Sequence, residues 1–241
     1  MKYHLIYNEK VEKEPQLKEK FDDCIHKTIL FYYYCLLNDT ETSQGKLKQK
    51  WGSLWFKNKK PEDMMLREEH FTWSDIRKLE LEGVSMMINF YRQNQFKKVL
   101  PIAVDYNFKI KIGDHYIKDS IELVRQVKDE DDKDVVEIVD FKTSKYAPDM
   151  FMTTHDLKLT MQVYAYRKLF DMKEQRILYH FLKGGKEIYS YRDDIEMKKF
   201  ESIVNGVATA IEGELFYPHY SFMCRNCHLT MECNNCKLGK G

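Results

Sequence analysis

Val136-Glu137-Ile138-Val139-Asp140-Phe141-Lys142-Thr143-Ser144-Lys145 is the stretch on which the reading of this chain turns. Its first seven residues are β-branched, aromatic and charged side chains in the order a half-buried strand requires. Residues two apart in a strand share a face, so Asp140 and Lys142 project together, while Val139 and Phe141 point to the other side and into a core. A carboxylate and a lysine held side by side at a strand end suit metal-assisted hydrolysis. The carboxylate holds the cation; the lysine orients or helps deprotonate the attacking water and stabilises developing negative charge. Taken alone, an Asp-x-Lys in a strand is more often a surface ion pair. Its weight comes from its surroundings.

Working outward, residues 99–112 and 116–127 alternate in period two and are rich in Val, Ile, Tyr and Phe. The run Lys128-Asp129-Glu130-Asp131-Asp132-Lys133-Asp134 is a charged turn, and the strand resumes at residues 135–142. The result is a three-strand meander in which the strand before the turn supplies a second carboxylate. Glu122, between core-facing Ile121 and Leu123, is the first choice, and Asp119 competes with it.

Helices are expected on both sides in sequence. Residues 16–37 carry apolar positions near the 3.6 period, and so do residues 72–95, with Ser74 or Asp75 as N-cap. After the meander come a helix at 156–170, strands at 176–183 and 188–191, and a helix at 195–212. Helices flanking a central mixed sheet give an α/β (α+β) class. With five Pro, ten Gly and no repeat, residues 1–241 read as one domain with an appended C-terminal tip at 217–241.

Composition narrows the function. The 39 basic residues nearly cancel the 38 acidic ones, which excludes a polycation but leaves room for a locally basic groove. No run of 18 apolar residues exists, and residues 1–10 lack a signal-peptide core, so a cytoplasmic setting without a membrane is expected. Lys46, Lys48, Lys50, Lys57, Lys59 and Lys60 interleave with Trp51, Trp55 and Phe56. That pattern fits either a stacking track for a single strand or, more commonly, a solvated lysine face over core aromatics. No Gly-x4-Gly-Lys-Ser/Thr loop is present, so the chain has no helicase motor of its own.

Four of six cysteines cluster at the end, as Cys224-x2-Cys227-x5-Cys233-x2-Cys236. Two such knuckles can present four thiolates to one metal, and by chemistry alone structural Zn²⁺ is the commonest occupant. Cys35 reads as a buried core cysteine.

Together these residues resemble the PD-(D/E)XK nuclease superfamily, and within it the RecB-type branch that includes AddB and the CRISPR-adaptation iron–sulfur exonucleases. The resemblance rests on Ile117 to Val124 followed by Ile138-Val139-Asp140-Phe141-Lys142-Thr143. It also rests on Cys24-Ile25-His26 in the first helix, Val104-Asp105-Tyr106-Asn107-Phe108 before the carboxylates, and Gln162-Val163-Tyr164-Ala165-Tyr166 downstream. It implies a restriction-endonuclease-like core and a Mg²⁺- or Mn²⁺-dependent deoxyribonuclease, expected to act as an exonuclease on single-stranded DNA or duplex ends. A catalytically weakened module that binds DNA or a protein is the alternative.

By the same resemblance, His26, Glu122, Asp140 and the Phe141 backbone carbonyl would hold the divalent ion. Lys142, Asp140 and Glu122 would be catalytic, and Gln162 and Tyr166, at i,i+4 on one helix face, would reach the active site or the DNA. The family usually has Asp where Glu122 stands and Gly where Asp119 stands; the extra methylene of Glu shifts a bound metal by ~1.5 Å. At the tip, Cys224, Cys227 and Cys233 match the run that holds a [4Fe-4S] cluster, with Cys24 or Cys236 as fourth ligand and zinc as the alternative. Cys24 and His26 diverge by about 200° around their helix, so only one can face the active site. The branch works with helicase, recombination or CRISPR-adaptation partners, and this compact form suits a phage or mobile element.

Overall fold

The computed structural model describes residues 4–8, 10, 17–56, 72–144 and 153–216, together with 224, 227, 229 and 233. Lys57, Lys59, Lys60, Cys236 and most of the C-terminal tip lie outside these. The chain divides into two compact units, residues 16–200 and residues 1–15 with 201–241.

The larger unit opens with three helices, α1 (Leu17–Leu37), α2 (Gln44–Trp55) and α3 (Trp73–Asn94). The strands β1 (Val99–Ile112), β2 (His115–Lys128) and β3 (Asp134–Lys142) follow, then α4 (Leu157–Phe170), β4 (Arg176–Phe181), β5 (Lys186–Ser190) and α5 (Asp194–Glu212). The five strands form one sheet in the order β1-β2-β3-β4-β5. Every pairing is antiparallel except β3 with β4, whose parallel join needs the crossover that α4 provides. A central mixed sheet with helices around it is the expected class.

Local chemistry fixes the joints. β1 turns into β2 over two residues, and Gly113 takes the left-handed φ of 57° that such a tight hairpin asks of its first position. The acidic turn before β3 is held by Asp129, whose Oδ1 accepts the Asp131 and Lys133 N–H groups, each at 2.9 Å. The N-cap of α3 is Thr72 rather than Ser74 or Asp75. Its hydroxyl accepts the Asp75 N–H, and Asp75 returns a bond to the Thr72 N–H at 3.0 Å, a reciprocal box. β4 ends at Phe181, two residues short of expectation, because 182–185 form the turn into β5, with Gly185 at φ 63°.

The main core lies between α1, α2, α3 and one face of the sheet. Phe21, Ile25, Ile29, Met87 and Phe90 meet Val104, Leu123, Val139, Phe141 and Leu178. Trp51 and Trp55 of α2 are buried in it and stack on each other at 5.4 Å. Gly83 of α3 admits Trp51, since a Cβ there would lie 2.2 Å from Cζ2 of the indole. This settles the lysine- and tryptophan-rich segment: its tryptophans are core residues, and Lys46 and Lys48 line an exposed helix face.

In the smaller unit, His4–Asn8 form one π-helical turn with Leu5 buried, and the later turns of α5, from Glu201 on, belong here. The Cys227 N–H donates to the Cys224 carbonyl at 3.2 Å and the Cys233 N–H to the Leu229 carbonyl at 2.8 Å.

Candidate active site

Asp140 and Lys142 project from the same face of β3, and the Lys142 ammonium is ion-paired with Oδ2 of Asp140. The antiparallel ladder between β2 and β3 runs as far as Leu123 opposite Val139. Continued by one residue, that register sets Glu122 beside Asp140. There the ladder gives way to a side chain: the Phe141 N–H donates to Oε2 of Glu122 at 3.0 Å. Phe141 itself turns into the core, as the alternation requires.

Helix α1 crosses this end of the sheet and delivers two residues one turn apart. Asp22 accepts the Thr143 hydroxyl at 2.7 Å, and Nδ1 of His26 lies 3.3 Å from Oε1 of Glu122. Cys24, between them, points into the hydrophobic core, so cysteine and histidine diverge as helix geometry requires.

A further cation comes from the first turn of α4, where Asp156 caps the helix by accepting the Leu159 N–H at 3.1 Å. Two residues on, the Lys158 ammonium lies 3.2 Å from Oε1 of Glu122 and 3.8 Å from Oδ1 of Asp140. Sequence reasoning missed Lys158, although it stands four residues before Gln162 in the helix. It also missed Asp22, Asp156 and Thr143.

The two carboxylates titrate in opposite directions. Burial pushes the Glu122 pKa up, but the hydrogen bond and charge of His26, the Lys158 charge and the Phe141 N–H outweigh it and hold the group down at about 2. Asp140 is raised, by burial first and then by the neighbouring Glu122 charge, against the pull of Lys142 and Lys158. Burial lowers the His26 pKa, yet the bond to Glu122 and the two carboxylate charges leave it raised.

Two carboxylates suit Mg²⁺ or Mn²⁺, and an imidazole beside them favours the transition-metal ion of the two, Mn²⁺. Both Asp140 oxygens are buried and, ion pairs apart, accept no hydrogen bond, an acceptor pair that a cation would satisfy. Among the described residues no three His, Cys, Asp or Glu side chains close on one point as a metal shell. Lys158 stands between the carboxylates instead, so a divalent ion that took up this position would displace the ammonium.

The other expected residues fall as follows. Gln162 is fully buried, and its amide fastens α4 to β2 by donating to the Ser120 carbonyl at 3.1 Å. Tyr166 is 1% exposed and stacks on Phe170 at 4.9 Å. Neither side chain therefore turns surface to a ligand, and only Gln162 has a described bond to the strand that carries Glu122. Asp119 accepts the Ser120 N–H at 2.7 Å, which leaves Glu122 as the β2 carboxylate nearest Asp140. Asp105 is exposed and adopts a left-handed φ of 46° in β1, across from Glu122 in the hairpin register. Cys224, Cys227 and Cys233 are half-buried and Cys35 is buried.

Residues 1–234 match the family model of the PD-(D/E)XK nuclease superfamily. The chain belongs to that superfamily. Its members are typically Mg²⁺- or Mn²⁺-dependent nucleases. Asp140-Phe141-Lys142 has the carboxylate-x-lysine spacing written in the superfamily's name. None of the curated proteins compared with this chain matches it. Among solved structures, the crystal structure of SSO0001 is similar at 15% identity, covering 96% of this chain and 92% of the other, with a TM-score of 0.31. No described helix is long and apolar enough to cross a membrane.

Proposed function

We propose that this chain is a divalent-metal-dependent deoxyribonuclease of RecB type, acting as an exonuclease on single-stranded DNA or duplex ends. The observation that carries the reading is the gathering of His26, Glu122, Asp140 and Lys142 where the end of β3 meets the middle of β2. His26, Glu122 and Asp140 would hold the ion, with the Phe141 carbonyl as a further ligand. When bound, such an ion supplies Lewis acidity to a phosphoryl oxygen and lowers the pKa of water. Lys142, held against Asp140, orients the attacking water and offsets charge on the phosphate. Gln162 and Tyr166 would support substrate placement, Gln162 by tying α4 to β2.

The resemblance of the cysteine run to that of the iron–sulfur members supports a [4Fe-4S] cluster on Cys224, Cys227 and Cys233 with Cys24 or Cys236, and the paired knuckles alone support structural zinc in its place. Anaerobic purification followed by visible absorption and metal analysis separates the two. A helicase, recombination or CRISPR-adaptation partner would supply strand separation.

The second reading, a nuclease fold kept for binding, is favoured by Lys158 in the inter-carboxylate position. Labelled single- and double-stranded DNA incubated with Mn²⁺ or Mg²⁺, beside a Lys142→Ala variant, decides between them. Cleavage by the parent and its loss in the variant is the expected result. DNA bound but uncut by both proteins would leave the binding reading.

A further inference from the structure

The β1–β2 hairpin outruns the rest of the sheet. β3 pairs with β2 only from Leu123 to Lys128, so residues 115–121 of β2 pair with β1 alone and form a two-stranded arm beside the candidate active site. In this arm Asn107 lies opposite Ser120, Lys109 opposite Lys118 and Lys111 opposite Tyr116. Opposed residues share a face, and Lys109 confirms it by placing its ammonium 4.3 Å from the centre of the Tyr116 ring. Phe108, Ile110 and Ile112, on the other face, are buried, while Lys109, Lys111, Tyr116 and Lys118 are exposed.

By strand alternation Tyr116, Lys118 and Ser120 share this face, and the arm joins the sheet beside Glu122. One continuous strip thus runs from the carboxylates out to the hairpin tip. It is acidic at its root and basic beyond.

Two observations point to an anionic ligand. Lys109 directly opposite Lys118 is a like-charge cross-strand pair, which costs a hairpin stability. Neither ammonium has a described carboxylate partner to offset it; only Lys111 has one, Asp114 of the turn at 3.5 Å. The spacing is the second. Alternate residues of a strand are about 6.8 Å apart, a separation of the same order as that between neighbouring phosphates along an extended single strand. From Tyr116 to Glu122 the strip is about 20 Å long, enough for several nucleotides. An exposed tyrosine beside the lysines adds a surface on which a base can stack.

We infer that this strip is the substrate track: Lys109, Lys111 and Lys118 bind phosphates of one DNA strand, Tyr116 stacks a base, and the strand is led to the carboxylates at the root. This deepens the nuclease reading and rests on it.

The test is binding of the full chain to a labelled single strand of about 20 nucleotides in EDTA, across a salt series. The triple variant Lys109→Gln, Lys111→Gln, Lys118→Gln loses affinity by about tenfold or more, and its log–log salt slope falls by about 2, at ~0.7 for each phosphate that a lysine no longer neutralises. Its melting temperature does not fall, because a like-charge pair has been removed. A double variant at the other end of β2, Lys128→Gln with Lys133→Gln, removes charges already paired with Asp134 and Asp131 and keeps the parent affinity. A triple variant that binds like the parent overturns the track, as does a control that loses as much. A parent that cuts DNA with Mn²⁺ while ignoring the three lysines overturns the track alone. A parent that neither binds nor cuts overturns the nuclease reading and the track with it.

Discussion

Strands β2 and β3 each build two ionic clusters, one on either face, and the two clusters could hardly differ more. On the face toward α1 and α3, Arg125 grips Glu137 through both Nε and Nη2, at 3.0 and 2.9 Å, and gives a third bond to the Tyr33 hydroxyl at 3.0 Å. All three side chains are buried. On the other face, three positions along each strand, Glu122 and Asp140 sit against His26, Lys142 and Lys158, and the Asp140 oxygens accept no hydrogen bond. A buried charge costs several kcal/mol unless it is paired and bonded. The first cluster meets that demand within the fold. The second leaves part of it open, at a place where a cation or phosphate oxygen can arrive.

The largest expected effect breaks the closed cluster. Glu137→Ala strands the Arg125 guanidinium in the core and should cost about 3–5 kcal/mol. In a chain of this length that lowers the melting temperature by roughly 6–20 °C. Arg125→Met combined with Glu137→Leu should recover most of the loss, since no charge is then left unpaired. Thermal unfolding followed by circular dichroism reads both.

Lys142→Ala should lower the melting temperature by less than Glu137→Ala, because Asp140 keeps Lys158 at 3.8 Å and can take up a proton, and should lower cleavage by about 10²–10³ as the charge that steadies the transition state is lost. Similar melting shifts for Lys142→Ala and Glu137→Ala would erase the distinction between the faces.

Lys158 sharpens the comparison more finely. With the ammonium gone, Lys158→Met should bind Mn²⁺ about tenfold more tightly by calorimetry, a difference of about 1.4 kcal/mol, and melt lower than the parent in EDTA. Looser binding would mean that the lysine supports the ion site instead of occupying it. The smallest effect lies at the rim. Thr143→Val removes the bond to Asp22 that ties α1 to the end of β3, for about 1 kcal/mol, with His26 then less firmly placed against Glu122.

The amino-acid sequence by itself determined the meander, because alternation in β1, β2 and β3 and the acidic turn between the last two are local properties of the chain. It determined that Asp140 and Lys142 share a face while Phe141 enters the core, since a period of two leaves no other choice. It placed His26 and Cys24 on different sides of α1 for the same kind of reason. Tertiary structure alone decided the rest. The burial of Trp51 and Trp55 depends on Gly83, a helix away in sequence, so the lysines around them could not be told from a nucleic-acid track. Lys158 reaches Glu122 only because α4 crosses back over the sheet, and the burial of Gln162 and Tyr166 follows from the same crossing. The basic strip on the hairpin exists because register pairs Lys109 with Lys118. Periodicity fixes which way a side chain points within its own element; which partner it meets is set by packing between elements far apart in the chain.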